Sequence, residues 1–225
     1  MGQAIGQALP SAVGVAISPL PIVAVVLMLV SDRGRVNGPA FVLGWWVGLA
    51  VVGLVVLGVA GGAGATNEGE PASWVDWVDL LLGLLLVALA AWQWRGRPHA
   101  GEEALTPKWM GALDAFTPVK AGAAGVVLSA LNPKNALLAV AGAATIAQTA
   151  ISTGAQIASY VVFVVIASIG VAAPVVLYFV LGDRSGPLLD SLKGWMARNN
   201  AVIMTVLLLV IGAKLIGQAI AGFSA

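Results

Sequence analysis

Residues 121–147 read AGAAGVVLSALNPKNALLAVAGAATIA, an apolar run interrupted by Asn132-Pro133-Lys134-Asn135. Proline removes a backbone donor and clashes with the preceding turn, so the run should form two half-helices with a break between them. A second interruption, Ser18-Pro19-Leu20-Pro21, lies in the first apolar run of the chain. In hydrocarbon such breaks are tolerated only where the freed carbonyls face protein or a water-filled cavity. Two breaks at matching places in two halves of a membrane protein therefore predict a substrate site at mid-membrane.

The composition assigns the chain to the integral membrane proteins. Of its 225 residues, 60% are hydrophobic and 9% are charged, and the mean hydropathy is +0.97. Soluble domains carry about a quarter charged residues. Cysteine is absent, which excludes disulfides, thiol relays and thiolate metal sites. The N-terminus lacks the basic region of a cleavable signal, so we expect the first apolar run to be retained as a span.

Six apolar stretches are long enough to cross a bilayer of about 30 Å. We place them near residues 4–30, 39–63, 74–94, 121–147, 154–181 and 199–222. The first and the fourth carry the proline breaks. Tryptophan favours the headgroup level, and paired tryptophans mark both ends of the third span: Trp74, Trp77, Trp92 and Trp94.

The charges between the spans predict the orientation of the chain. Basic residues lie in the first, third and fifth connections: Arg33, Arg35, Arg95, Arg97, Lys108, Lys120, Arg184, Lys193 and Arg198. The second connection is acidic and the fourth is uncharged. Because basic loops stay in the cytoplasm, we expect a multi-pass protein with both termini outside.

An odd number of spans in each half implies that the second half is inserted upside down. The predicted fold class is therefore an all-α integral membrane protein with six transmembrane helices as two inverted three-helix repeats, in which helices 1 and 4 are broken by proline. The repeats would be residues 1–97 and 121–225, joined by a cytoplasmic linker at 98–120. Gly44 and Gly48 would let helices approach closely, either within the bundle or against a second copy, so a homodimer is possible.

The second break has the chemistry of an anion site. The half-helix after Pro133 offers free backbone N–H groups and a positive dipole end, and Lys134 adds an ammonium. Asn132 and Asn135 add amide donors and acceptors. Such a set suits a carboxylate, phosphate or sulfate.

The first break would supply the facing half of the same site. Ser18, together with the carbonyls freed by Pro19 and Pro21, would line it without adding charge. Ser129, three residues before Asn132, could line the same cavity. The predicted substrate-binding residues are thus Ser18, Pro19, Pro21, Ser129, Asn132, Pro133, Lys134 and Asn135.

Other ionisable residues have simpler explanations. Lys214, inside the sixth span, lies about 12 Å from the outer helix end, so its side chain could reach the surface. Asp79, one turn into the third span, is expected at the outer rim, which leaves acid-mediated sodium or proton coupling with little support. The single histidine, His99, belongs to the linker, without a metal cluster around it in the sequence. We expect no catalytic residues, no metal, no cofactor and no nucleic-acid partner.

The early broken helix, the Asn132-Pro133-Lys134-Asn135 motif and the six-span plan resemble the lysine exporter superfamily. Within it the chain is most similar to the GAP family, also called Sap-type or (glyco)peptidolipid- and sulfolipid-addressing proteins. The resemblance implies a bacterial inner-membrane protein that helps to export small molecules or cell-envelope lipids. The thiol-transporting branch uses paired intramembrane cysteines, and the metal-exporting branches use His, Cys or acidic ligands, which this sequence lacks.

The sequence leaves three functions open. The first is an exporter of an anionic or zwitterionic small molecule or envelope lipid, with the substrate and the lipid bilayer as its partners. The second is a non-transporting scaffold that recruits envelope-biosynthesis enzymes through the basic linker. The third is an amino-acid exporter proper, which differs from a lipid exporter in the size of the cavity and in whether the groove opens sideways to the bilayer.

Overall fold

A computed structural model of the chain describes residues 1–62, 66–67, 70–71, 73–95, 116–149 and 151–223. The α-helices are α1 (Gly2–Ala16), α2 (Pro19–Val30), α3 (Gly34–Gly62), α4 (Ser73–Arg95), α5 (Pro118–Val126), α6 (Pro133–Ala147), α7 (Thr153–Leu181) and α8 (Ser185–Phe223). A π-helical turn, Val127–Leu131, follows α5, and a 3-10 turn, Gly182–Arg184, precedes α8. Two two-residue strands, β1 (Thr66–Asn67) and β2 (Glu70–Pro71), pair antiparallel between α3 and α4. Apart from this pairing the described chain is helical, as predicted.

The helices long and apolar enough to cross a membrane agree with four of the predicted spans. Among the described residues they cover Gly34–Gly61, Trp74–Arg95, Thr153–Leu181 and Ala201–Phe223. Two bent pairs raise the number to six if each pair is one span: α1 with α2, and the α5 segment (α5 with the π-helical turn, Pro118–Leu131) with α6. The chain is therefore a multi-pass membrane protein with four to six candidate spans.

The fifth connection was predicted to be a basic loop, and the structure differs from this prediction. The structure places a 3-10 turn there and begins α8 at Ser185, so the basic stretch is the first part of a helix of 39 residues. At 1.5 Å per residue this helix is roughly 58 Å long, well beyond the thickness of the hydrocarbon core. Its first part therefore extends past the membrane-spanning segment. Lysine and arginine are good helix formers, which is why a charged stretch could continue the helix.

The predicted linker at 98–120 is described only in its last residues. Residues 98–115 lie outside the described part of the chain. Helix α5 begins at Pro118, with Thr117 as its N-cap accepting a hydrogen bond from the backbone of Lys120 at 3.4 Å. The fourth helical segment thus starts three residues earlier than predicted.

Both proline motifs break their helices, as predicted. The axis turns by 49° between α1 and α2, and by 62° between the α5 segment and α6. In each case the proline occupies the start of the second helix, where its missing N–H has no intrahelical partner to lose. The prolines therefore open the second half of each pair rather than interrupting its interior.

Glycines bring α3 against the α5 segment within the bundle. A Cβ on Gly44 would lie 1.9 Å from the carbonyl oxygen of Gly122, and a Cβ on Gly125 would lie 2.2 Å from that of Phe41. At Gly48 the added atom would lie 2.0 Å from the hydroxyl of Ser129. The predicted close approach is confirmed, and the Gly44/Gly48 face packs inside the chain, so it is not available to a second copy.

Two hydrogen bonds join α3 to α7. The Tyr160 hydroxyl donates to the carbonyl of Leu49 at 2.8 Å. The Trp46 indole donates to the hydroxyl of Ser168 at 3.0 Å. Because hydrocarbon offers no alternative partner for these polar groups, both bonds fix the spacing of the two long helices.

Tyr160→Phe should lower the free energy of unfolding by about 0.5–1.5 kcal/mol, the net contribution of one such hydrogen bond. The phenyl ring keeps the packing against Gly53 and Phe163, so the hydroxyl is the only group removed. Thermal unfolding of the purified protein in detergent measures the effect. Tyr178→Phe is the control, since the described residues offer the Tyr178 hydroxyl no hydrogen bond; an equal effect of both changes would contradict the assignment.

Candidate functional site

The second break is built around a widened helical turn. At its end the backbone N–H of Asn132 donates to the carbonyl of Val127 at 2.9 Å, a π-type i→i−5 bond. In this register the next donor would be residue 133, bonding to Leu128, but Pro133 has no N–H. The side-chain amide of Asn135 donates to the Leu128 carbonyl instead, at 2.8 Å. Asn135 thus satisfies the carbonyl that the proline leaves free.

Asn132 closes the start of α6. Its backbone is extended, and its side-chain oxygen accepts from the backbone N–H of Lys134 at 3.2 Å. This is an N-cap, in which a side-chain oxygen satisfies one of the free donors at the helix start. Pro133 has no N–H, and the N–H of Ala136 donates to the carbonyl of Asn132 at 2.8 Å, so few donors of the first turn remain. What the start of α6 offers an anion is mainly the positive end of the helix dipole.

Lys134 projects into a cavity between α4 and α6. The cavity has a volume of about 640 Å³ and is lined by Leu89, Trp92, Gln93, Arg95, Asn132, Pro133 and Lys134. Within the described part of the chain, the Lys134 ammonium has neither a hydrogen bond nor an ion pair. Arg95 brings a second cation from the last turn of α4. Two cations and a helix N-terminus around one cavity suit a negatively charged group.

Arg95 and Gln93 line the cavity, although the sequence did not point to them as site residues. Arg95 was assigned to a basic loop, and Gln93 was not singled out. Both lie about 40 residues before the motif, so their proximity to Lys134 depends on how α4 packs beside α6. The available signal was their position at the end of an apolar helix next to the interface tryptophans Trp92 and Trp94.

The other predicted site residues lie outside this cavity lining. Ser129 is fully buried, and its hydroxyl donates to the carbonyl of Val126 at 3.1 Å, beside Gly48. Asn135 is also fully buried, with its amide oxygen unpaired. Ser18, Pro19 and Pro21 are buried at the first break.

The first break packs against α7. A Cβ on Gly170 would lie 1.7 Å from the carbonyl oxygen of Ala16 and 2.9 Å from the side chain of Ile22. The helical turn at this break is tighter than an α-turn, whereas the turn at the second break is wider. The backbone N–H of Ser18 donates to the carbonyl of Val15 at 3.2 Å, an i→i−3 bond. The two proline motifs therefore bend their helices by opposite changes in helical register.

The two breaks nevertheless lie in neighbouring parts of the bundle. Helix α1 packs along α6, where a Cβ on Gly14 would lie 3.0 Å from the side chain of Leu138. Helix α2 also touches the π-helical turn. The structure thus brings both broken segments together, while only the Asn132–Lys134 part of the predicted set lines the cationic cavity.

Asp79 was predicted at the outer rim, and this prediction is wrong. The residue is only 2% exposed, and its carboxylate accepts from the side-chain amide of Gln148 at 2.9 Å. Gln148 follows the last residue of α6, so the bond joins α4 to α6. Packing of α8 over the first turns of α4 covers the carboxylate, and hydropathy along one helix could not show this.

Lys214 lies near the same carboxylate. Its ammonium donates to the backbone carbonyl of Gln7 in α1, and it is close enough to attract Asp79. The side chain therefore ends inside the bundle, in contrast to the predicted extension to the surface.

Two apolar grooves open between helices. One has a volume of about 260 Å³ and lies between α3, α4 and α6, with Val78, Ala144 and Gln148 in its wall. The other, of about 440 Å³, lies between α3 and α7, with Trp46, Leu54 and Tyr160 in its wall. Apolar side chains make up almost the whole of both walls.

The comparisons with known proteins give one family. The family model described as SfLAP: Sap, sulfolipid-1-addressing protein, matches residues 8–221, which is nearly the whole chain. No curated protein and no solved structure matches the chain.

Proposed function

Because the chain belongs to the Sap, sulfolipid-1-addressing protein family, as its resemblance implied, we propose that it is an exporter. It moves an anionic or zwitterionic small molecule or cell-envelope lipid outward across the inner membrane. The observation that carries the proposal is the cavity between α4 and α6, where Lys134 and Arg95 meet the start of a half-helix. We propose no catalytic step and no cofactor for this activity.

The cavity would receive the negatively charged group from the cytoplasmic side. It reaches Trp92 and Arg95 in the last turn of α4, the end that the basic connections assign to the cytoplasm. Lys134 and Arg95 would neutralise the charge, and the positive end of the α6 dipole would add to the attraction. Asn132 would orient the group through its free amide N–H groups, while its oxygen caps the helix.

Export would use the two halves as inverted repeats. Each half begins with a proline-bent pair, continues with a helix of 29 residues and ends with a further long helix. This repeated order supports the two-repeat arrangement, and the basic connections of the sequence support both termini outside. In alternating access the halves would rock about the neighbouring breaks, with Ser18, Pro19, Pro21, Pro133 and the buried Ser129 and Asn135 shaping the pivot.

The apolar grooves favour a substrate with hydrocarbon. Both are walled by helices of the bundle surface and carry almost wholly apolar side chains. An amino-acid exporter would have little use for such grooves, whereas a lipid could keep its chains in one of them while its charged group occupies the cavity.

Lipid and metabolite profiles of a deletion strain test the proposal. An anionic or zwitterionic compound should accumulate inside the cells, and the gene should restore its export. Unchanged profiles in growing cells would contradict the export function.

Deleting residues 98–107 should leave most of the restored export in place. All the residues described as lining the cavity are retained in this variant, so a transporter keeps them, whereas a scaffold that acts through its linker loses part of its contact surface. Export by cells that carry the shortened chain measures the difference. Loss of export with normal membrane levels of the protein would favour the scaffold function over transport.

A further inference from the structure

The carboxylate of Asp79 is a buried ionisable group that the proposed export site does not use. It lies in a predicted span, about 8 Å along α4 from Trp74, and its residue is 2% exposed. Charged groups at such depth are costly and mark functional sites in membrane proteins. Among the described residues, the side-chain amide of Gln148 donates a hydrogen bond to it at 2.9 Å.

The antiparallel packing of α4 on α8 places Gln218 at the level of Asp79. A Cβ added to Gly222 would lie 2.0 Å from a carboxylate oxygen of Asp76, so these two residues are neighbours. Likewise, a Cβ added to Gly83 would lie 2.7 Å from the side chain of Ile216. Gln218 falls between these two contacts, as Asp79 does on α4. Its amide oxygen is buried and has no hydrogen-bond partner within the described residues. Buried polar atoms are nearly always hydrogen-bonded, so this oxygen is an acceptor whose donor is missing.

The charged groups around Asp79 come from two helices, and neutral polar groups come from two more. Asp76 stands three residues earlier on α4 and is half-buried, and Lys214 faces the site from α8. Helix α6 contributes Gln148, and its one ionisable side chain, Lys134, lies at the opposite end. Helix α1 contributes the carbonyl of Gln7, which accepts from Lys214.

This environment suits a proton better than a metal ion. Sodium and calcium need several oxygen ligands, and the ammonium of Lys214 repels any metal cation placed beside Asp79. A proton needs only one carboxylate oxygen. The O–H of protonated Asp79 would also be the donor that the Gln218 oxygen lacks.

We propose that Asp79 binds a proton from the aqueous phase at this end of the bundle, and that this proton releases α4 from α6. In the ionised state the carboxylate accepts from Gln148 and attracts Lys214, which holds three helices together. Protonation adds one proton to a carboxylate oxygen, turns its O–H towards Gln218 and removes the attraction to Lys214. Lys214 keeps its bond to Gln7.

The groove between α3, α4 and α6 would report the release. Its wall contains Val78 from α4 and both Ala144 and Gln148 from the α6 side. When the Asp79–Gln148 link weakens, α4 and α6 can separate at this end, and the groove should widen. This device extends the proposed export function, because it would couple opening at one face to an inward proton.

Single-cysteine labelling tests the proposal, since the natural chain contains no cysteine. Ala144→Cys reports on the groove beside Asp79, and Leu54→Cys, in the other groove, corrects for the pH dependence of the thiol itself. The ratio of their rates of reaction with a maleimide is measured in reconstituted vesicles over a range of pH. We expect the ratio to rise severalfold as the pH falls.

Asp79→Asn should hold the ratio high at every pH, because the amide mimics the protonated acid. Asp76→Asn is the matched control and should keep the pH dependence. A ratio that does not change with pH in the parent, or that still changes in Asp79→Asn, would overturn the proposal. If Asp79→Asn fails to fold, Gln148→Ala removes the link from the other side and should also raise the ratio; a ratio that stays low overturns the proposal too. The readout needs no transported substrate, so it stands apart from the export test.

Discussion

Lys134→Ala should abolish export while leaving a folded, membrane-inserted protein. Hydrogen bonds to charged groups contribute about 1.5–3 kcal/mol each, so loss of the ammonium should weaken binding of an anionic substrate by about ten- to a hundredfold. The described residues hold the Lys134 ammonium in no hydrogen bond or ion pair, so the fold loses no contact of that charge. Complementation of the deletion strain, followed by measurement of the accumulated compound, gives the result.

Lys120→Ala is the matched control for this experiment. Lys120 is also near the start of a half-helix, but it is exposed at the beginning of α5 and does not line the cavity. Export should therefore survive its loss. Normal export by Lys134→Ala, or equal losses in both variants, would remove Lys134 from the site.

Gly44→Ala should destabilise the bundle by about 3 kcal/mol or more, at the upper end of the overpacking range. The added methyl group would lie 1.9 Å from the backbone oxygen of Gly122. Backbone cannot turn aside as a long side chain can, so α3 and α5 must move apart along their length. A large fall in the midpoint of thermal unfolding, or loss of the protein from the membrane fraction, is expected.

Gly58→Ala separates this clash from the general effect of a glycine replacement. Gly58 lies in the same helix, and an added Cβ there meets no atom within 4 Å. Alanine forms helix better than glycine, so this variant should be as stable as the parent or slightly more so. Similar midpoints for the two variants would show that α3 and α5 do not approach at Gly44.

The sequence was sufficient for the features that depend on local chemistry. Proline placed both helix breaks, small residues marked the approach of α3 to the α5 segment, and apolar length located the spans. Each of these follows from one residue type acting on its own backbone or on its nearest neighbour. The family resemblance, confirmed over residues 8–221, rested on the same motifs.

Features that depend on the partner helix were out of reach of the sequence. Arg95 reaches the Lys134 cavity from a helix about 40 residues away, and Asp79 is covered by α8 rather than by its own helix. Asn135 was predicted to orient a ligand, whereas its amide is committed to the carbonyl of Leu128. This hydrogen bond depends on the π register of the preceding turn, which no residue pattern in this chain predicts.

The bond from Asn135 to Leu128 has a consequence for the order of assembly during biosynthesis. Its donor and acceptor are seven residues apart, so this break can be sealed within its own segment before any later helix is made. The first break packs instead on Gly170 of α7, which is synthesised about 150 residues afterwards. The pair α1–α2 therefore lacks this contact until α7 has been made. The second pair can form its own bond across the break as soon as it is inserted, and later helices can pack on it.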